Sequence, residues 1–199
     1  MIKKIITTAV ISTALLMGAS KMANAFTIYK VGQVDIYQNN EILNKALAHD
    51  IKVYTGIDPD GHKLTQLQID TGLKTLKVNL WQGEKEYETW MSLISKGTSW
   101  AKIAKENKVD YSKDLPDCST YGVTCSVRFR SISNGENSAL VFNIEDSENS
   151  FYDLKNAFIM AEDMSRLSVI LTEKVPAKLS AIEEDTKNKP KVNKDELFK

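Results

Sequence analysis

The stretch that decides the fold runs Cys125, Ser126, Val127, Arg128, Phe129, Arg130, Ser131, Ile132, Ser133, Asn134, Gly135. Apolar and polar residues alternate along its first part. Successive side chains of a strand point to opposite faces, so Val127 and Phe129 share one face and Arg128 and Arg130 the other. Asn134-Gly135 then supplies two residues that tolerate positive φ, the requirement of a tight hairpin turn. Leu140, Phe142 and Ile144 resume the alternation on the way back. The spacing predicts an antiparallel hairpin over 125–144 with one apolar face, and a sheet for it to belong to.

Working outward, Phe151 to Glu173 keeps helical spacing through Phe151, Leu154, Phe158, Ala161, Met164, Leu167 and Leu171. We read it as a long C-terminal helix, about 151–173, ended by Pro176. The Lys-, Glu- and Asn-rich remainder, 175–199, reads as a charged flexible tail. Upstream, Glu84–Ser95 and Thr98–Asn107 read as two helices separated by Gly97. Asn40 to His49 reads as a short capped helix. Phe26–Tyr37 (with Gly32 as a bulge), Ile51–Tyr54 and Leu73–Trp81 read as strands. The expected fold class is α+β: an antiparallel sheet, including the 125–144 hairpin, packed by several helices. One domain is expected over 26–174.

The N-terminus carries an export pattern. Met1-Ile2-Lys3-Lys4 is a basic start, Ile5 to Gly18 is apolar and uncharged, and Ala23-Asn24-Ala25 places small residues where a signal peptidase cuts. Residues 1–25 are therefore expected to be a signal peptide, cleaved between Ala25 and Phe26. The apolar run is shorter than the roughly 20 residues that span a bilayer, so no stable membrane insertion is expected after cleavage. Cleavage removes three lysines and no acid, leaving 23 basic and 26 acidic residues, a net charge of −3. That balance argues against nucleic acid as a partner.

Cys118 and Cys125 form an even pair in a chain expected to be exported, which predicts a disulfide. Six intervening residues do not make a redox Cys-x-x-Cys, and two thiols alone make a poor zinc site. Neither a metal nor any other cofactor is expected. Asp58-Pro59-Asp60-Gly61-His62 places two carboxylates beside a glycine, but aligning Gly61 with a calcium-loop glycine puts Gly56 and Leu67 at ligand positions, so a plain turn is expected. His49 and His62 sit in no nucleophile motif, and no catalytic residue is assigned. Arg128 and Arg130, on one strand face, form a candidate grip for a carboxylate or phosphate. Trp100 is a candidate interaction residue, although Trp90 and Trp100 also fit inward helical stripes.

Gly97, Thr98, Ser99, Trp100, Ile103, Ala104, Lys105 and Val109 fall at spacings that resemble the first half of a LysM motif. The likeness covers 13 residues, 97–109, and its second half is absent. It implies peptidoglycan or chitin binding. Taken together, the residues lead us to expect an exported bacterial envelope protein, periplasmic or secreted, that is not an enzyme and acts by binding another envelope protein. An accessory or assembly factor of a secretion, pilus or conjugation system, or a secreted virulence factor, fits this description. A periplasmic immunity or inhibitor protein against a toxic enzyme, or a peptidoglycan binder through the LysM-like segment, are the alternatives.

Overall fold

The computed structural model describes residues 26–40, 45–71, 74–147 and 153–188. The expected signal peptide, Ala25 included, and residues 189–199 lie outside the described residues. The strands are β1 (Ile28–Asn40), β2 (Lys45–Ile57), β3 (Lys63–Asp70) and β4 (Thr75–Trp81), then, after helix α1 (Lys85–Asn107), β5 (Tyr111–Asp114), β6 (Val123–Ile132), β7 (Asn137–Asp146) and β8 (Leu154–Met160). All eight strands form one antiparallel sheet in the order β4-β3-β2-β1-β8-β7-β6-β5. A helical stretch, residues 161–188, closes the described chain. It consists of α2 (Ala161–Val169), one π-helical turn (Ile170–Lys174) and α3 (Val175–Asn188).

This corrects the expectation of a sheet packed by several helices. Among the described residues the fold is mostly sheet, with two helical stretches, α1 and residues 161–188. Three local readings change with it. The expected helix from Asn40 to His49 is strand wherever it is described, at Asn40 and from Lys45 to His49, with residues 41–44 outside the described residues: Asn39 pairs with Ala46 and Tyr37 with Ala48 as β1 and β2 run antiparallel. Ladder pairing outweighs the helical spacing of so short a segment. The expected pair of helices around Gly97 is one helix. Gly97 lies where α1 meets α2, and a Cβ there would sit 2.7 Å from Met164 Sδ and 2.8 Å from Leu140 Cδ1. It is a point of close approach, not a stop, and the Thr98 hydroxyl donates back to the Ile94 carbonyl at 2.9 Å instead of capping a new helix.

The third correction concerns the C-terminal helix. Its expected first turns are strand β8. Leu154, Ala157 and Ile159 are buried, a spacing of three and then two. The irregularity is a bulge: the β7–β8 register shifts between Phe142 and Ile144, and Asn156 takes φ 53°. Asn tolerates this left-handed conformation better than most residues. At its other end the helix runs on past Pro176 to Asn188, through the first part of the expected flexible tail. Proline lacks an N–H and clashes with the carbonyl one α-turn earlier. The π-helical turn just before it, where the Val175 N–H bonds to the Ile170 carbonyl, widens the backbone at that point. Leu171, Val175 and Leu179, four residues apart, are all buried and carry the apolar stripe across.

The hairpin of β6 and β7 pairs Ile132 with Asn137 and Phe129 with Leu140. Its turn does more than reverse the chain. Gly135 has φ 82°, and a Cβ there would fall 2.1 Å from the Ala104 carbonyl oxygen. The tip is pressed against the end of α1. The helices cover one face of the sheet, where Val34, Ile51, Leu67, Val78, Phe129 and Phe142 join Leu93, Met164 and Leu167 in one core. Trp90 stacks on Phe142 at 5.6 Å and donates its indole N–H to the Cys118 carbonyl at 2.9 Å. A buried side chain of this size is worth about 1.5–3 kcal/mol in removed apolar surface.

Two antiparallel runs, β1–β4 and β5–β8, meet at a narrow seam. β1 touches β8 at two register pairs, Tyr37 with Phe158 and Gln38 with Ala157. On one side of the seam the chain leaves β8 for α2, and Asp163 of α2 accepts the Asp35 N–H. Burial pushes the Asp163 carboxyl above its usual range, while that N–H and Arg166 (2.8 Å) oppose the shift. On the other side the β1–β2 hairpin diverges from β8 and leaves a groove. None of the helices described is long and apolar enough to cross a membrane.

Candidate functional site

The groove lies on the sheet face away from the helices. It follows from the strict alternation of β6, where every second residue is exposed. Arg130 pairs with Ala139 and Ala139 with Met160, forming one row across β6, β7 and β8. Val141 pairs with Phe158 and Phe158 with Tyr37 in the next. These rows make an apolar floor, with the Phe158 and Tyr37 rings stacked at 5.7 Å. Asn39, Lys45 and Ala46 of the β1–β2 hairpin form the far wall, and Lys155 and Asn156 line one end. The groove is open to solvent and has a volume of about 920 Å³.

The electrostatics of this cleft are one-sided. Arg130, Lys45 and Lys155 line it, and among the described residues no carboxylate does. Among the described residues Arg130 and Lys45 make no ion pair, and Lys155 reaches Asp153 only at 3.9 Å. Arg128 behaves differently. Its Nε donates to Asp114 Oδ1 at 2.6 Å, across the β5–β6 register, and this hydrogen bond holds the Asp114 carboxyl below the usual range. The two arginines of the sequence pattern are therefore on one face, but one is neutralised and one is available. Trp100 is on the opposite face. It packs edge-on against Phe129 (5.5 Å) and Tyr111 (6.2 Å), with Lys113 Nζ 5.6 Å from its ring centre. The structure does not bring Trp100 and Arg130 together.

Cys118 and Cys125 are joined in a disulfide, with their Cα atoms 4.9 Å apart. The bridge staples a tight turn, in which Thr120 and Val123 exchange backbone hydrogen bonds of 2.9 and 3.1 Å. Gly122 takes φ 79° there, and Tyr121 beside it is 100% exposed. No sequence pattern singled out Tyr121, though a Tyr-Gly pair inside a short cystine loop is a recognisable signal.

Elsewhere, one acid–histidine cluster is taken up in holding a turn. Asp58, Asp60 and His62 have ligand atoms within 4.8 Å of one another. Asp58 Oδ1 already accepts the N–H groups of Asp60 (3.0 Å) and His62 (2.8 Å), and Oδ2 meets His62 Nδ1 at 2.9 Å. Both oxygens are used in closing the turn. Desolvation alone would raise the Asp58 pKa, but these hydrogen bonds outweigh it and the pKa lies below its usual value. His62 is raised, by the hydrogen bond to Asp58 first and by its charge second. His49 lies in β2, with Nε2 buried and without a hydrogen-bond partner among the described residues. Phe26 stacks on Trp81 at 6.1 Å.

The segment that resembles a LysM motif is the C-terminal half of α1 together with the residues that follow it. Gly97, Ala101 and Ala104 are buried within the fold. No protein-family model matches the chain, and neither a curated protein nor a solved structure matches it significantly.

Proposed function

We propose that this is an exported envelope protein, periplasmic or secreted, that works by binding another protein and not by catalysis. The observation that carries the reading is the groove on the sheet face away from the helices, where an apolar floor lies between Arg130, Lys45 and Lys155, the first two without an ion pair among the described residues. Polar rims around an apolar centre are the anatomy of protein interfaces. The fully exposed Tyr121 on a stapled turn adds support, because rigid aromatic side chains are favoured anchors at such interfaces. The disulfide fits an oxidising compartment, and the export pattern before Phe26 agrees with it.

Site-specific photo-crosslinking tests the reading. A benzoyl-phenylalanine in place of Tyr121 or Met160, in protein made by its own cells, is expected to give a discrete adduct with one envelope protein. Absence of a protein adduct from both positions would remove the proposal. Signal processing is checked on the same material: intact mass should begin at Phe26.

A further inference from the structure

Resting on the protein-binding reading, we infer that the groove takes an extended, acidic polypeptide segment whose carboxylates flank apolar residues. The charges come from three strands: Arg130 from β6, Lys155 from β8 and Lys45 from β2. In the strand order, β7, β8 and β1 lie between β6 and β2. Arg130 and Lys45 thus stand on opposite sides of the floor, four strand spacings or roughly 19 Å apart across the strands, and on opposite sides of the Arg128–Val141–Phe158–Tyr37 row, roughly 16 Å apart along them. An extended chain advances about 3.3 Å per residue, so about eight residues bridge the diagonal of roughly 25 Å. The segment this predicts has acids near both ends and apolar side chains over Val141, Phe158 and Met160.

The polar lining argues for a peptide over a lipid. Asn39, Asn137 and Asn156 each offer an amide donor and acceptor, which match the groups of a peptide backbone. A fatty acyl anion satisfies one cation and covers the floor, but it sets hydrocarbon against the remaining cations and amides, which costs desolvation without a replacement bond. The chain's own last segment does not complement the groove. Residues 189–199 hold four lysines against two acids, so their charge repeats that of the cleft.

The test uses a fluorescein-labelled octapeptide with Glu at both ends and Val and Leu between. Its analogue with Lys at both ends and sodium dodecanoate serve as the other probes. Anisotropy with the purified protein is expected to show saturable binding of the acidic peptide, about tenfold or more weaker for Arg130→Glu and for Lys45→Glu, and none for the Lys analogue. Arg130 and Lys45 are exposed or rim positions, and Arg130→Gln, which removes charge without reversing it, should give an intermediate loss with an unchanged circular dichroism spectrum. Equal binding of the two peptides, indifference to charge reversal, or displacement of the acidic peptide by dodecanoate at equal concentration would overturn the inference. So would a crosslink from Met160 to a second copy of this chain. A Tyr121 adduct that persists in the Arg130→Glu protein, without one from Met160, leaves protein binding standing and sinks the groove assignment alone.

Discussion

At the scale of single residues, the Cys118–Cys125 bridge closes a very short loop. Its effect in the chain-entropy picture is to remove conformations from the unfolded state, worth about 2–3 kcal/mol for a loop of this length. Replacing both cysteines by Ala should lower the unfolding free energy by that amount in a urea titration, with little change in slope. The Trp90 indole bond to the Cys118 carbonyl should survive, since Trp90 is fixed by its stack on Phe142. The Asp58–His62 pair makes a second prediction. His62 has a raised pKa in the folded protein, so its contribution is fully present below the usual value of 6.5 and is lost as pH rises through the folded value. Asp58 has a lowered pKa, so its contribution is present above its usual 3.8 and is lost as pH falls through the folded value. Both contributions are therefore fully present above the usual carboxylate value of 3.8 and below the usual histidine value of 6.5. The imidazole resonances of His62 should titrate above the ordinary range in NMR and return to it in Asp58→Asn. A His62 that titrates normally in the unsubstituted protein would contradict the geometry.

Arginine shows how much of the site the sequence made visible. Arg128 and Arg130 read identically, two outward residues of one strand. What separates them is Asp114, which reaches Arg128 only because β5 pairs with β6 in that register. Lys45 was out of reach for another reason. Its segment has helical spacing, and only the β1–β2 ladder turns it into a wall of the groove.

At the scale of elements, legibility depended on whether local signals agreed. The β6–β7 hairpin has alternation, turn residues and length all in accord, and the residues on both of its faces are as read. β8 has the bulge at Asn156, and a bulge erases the period of two that marks a strand. The same residues then imitate a helix, and only pairing with β7 and β1 settles the matter. Gly97 misled in the opposite direction, since glycine ends helices and also lets them touch. Its packing gives a prediction. Gly97→Val would place methyl groups where Met164 Sδ and Leu140 Cδ1 now lie. Overpacking of this kind costs about 1–3 kcal/mol. Thermal unfolding should show a clear drop, while Met164→Ala in the same background should recover part of it. If the second substitution only adds to the first, the α1–α2 contact at Gly97 is not the cause. Asn156 offers a complementary test. Asn156→Gly should be tolerated and Asn156→Val should destabilise by about 1–2 kcal/mol, because a β-branched residue resists positive φ.

At the scale of the whole molecule, the sheet is two meanders fastened at two residue pairs and backed by the helices. Removing the ring that stacks on Tyr37 should loosen this seam before anything else. Phe158→Ala forfeits an aromatic contact worth about 0.5–1.5 kcal/mol beyond buried area, or about a fivefold change in local opening. Native-state hydrogen exchange should therefore accelerate at Tyr37, Gln38 and Ala157 by about that factor, with β3 and β6 changing far less. A uniform acceleration through the sheet would show instead that the two halves open only together.

The seam also orders events in time. Gln38 hydrogen bonds to the carbonyl of Lys155, 117 residues further along. A chain delivered N-terminus first has β1 long before it has the strand that β1 must meet. Until Phe158 emerges, the first meander can pair within itself, but its inner face has neither α2 nor the second meander to rest on. The architecture thus acts as a late-closing clasp. The two halves of the sheet join only after β8 has reached β1.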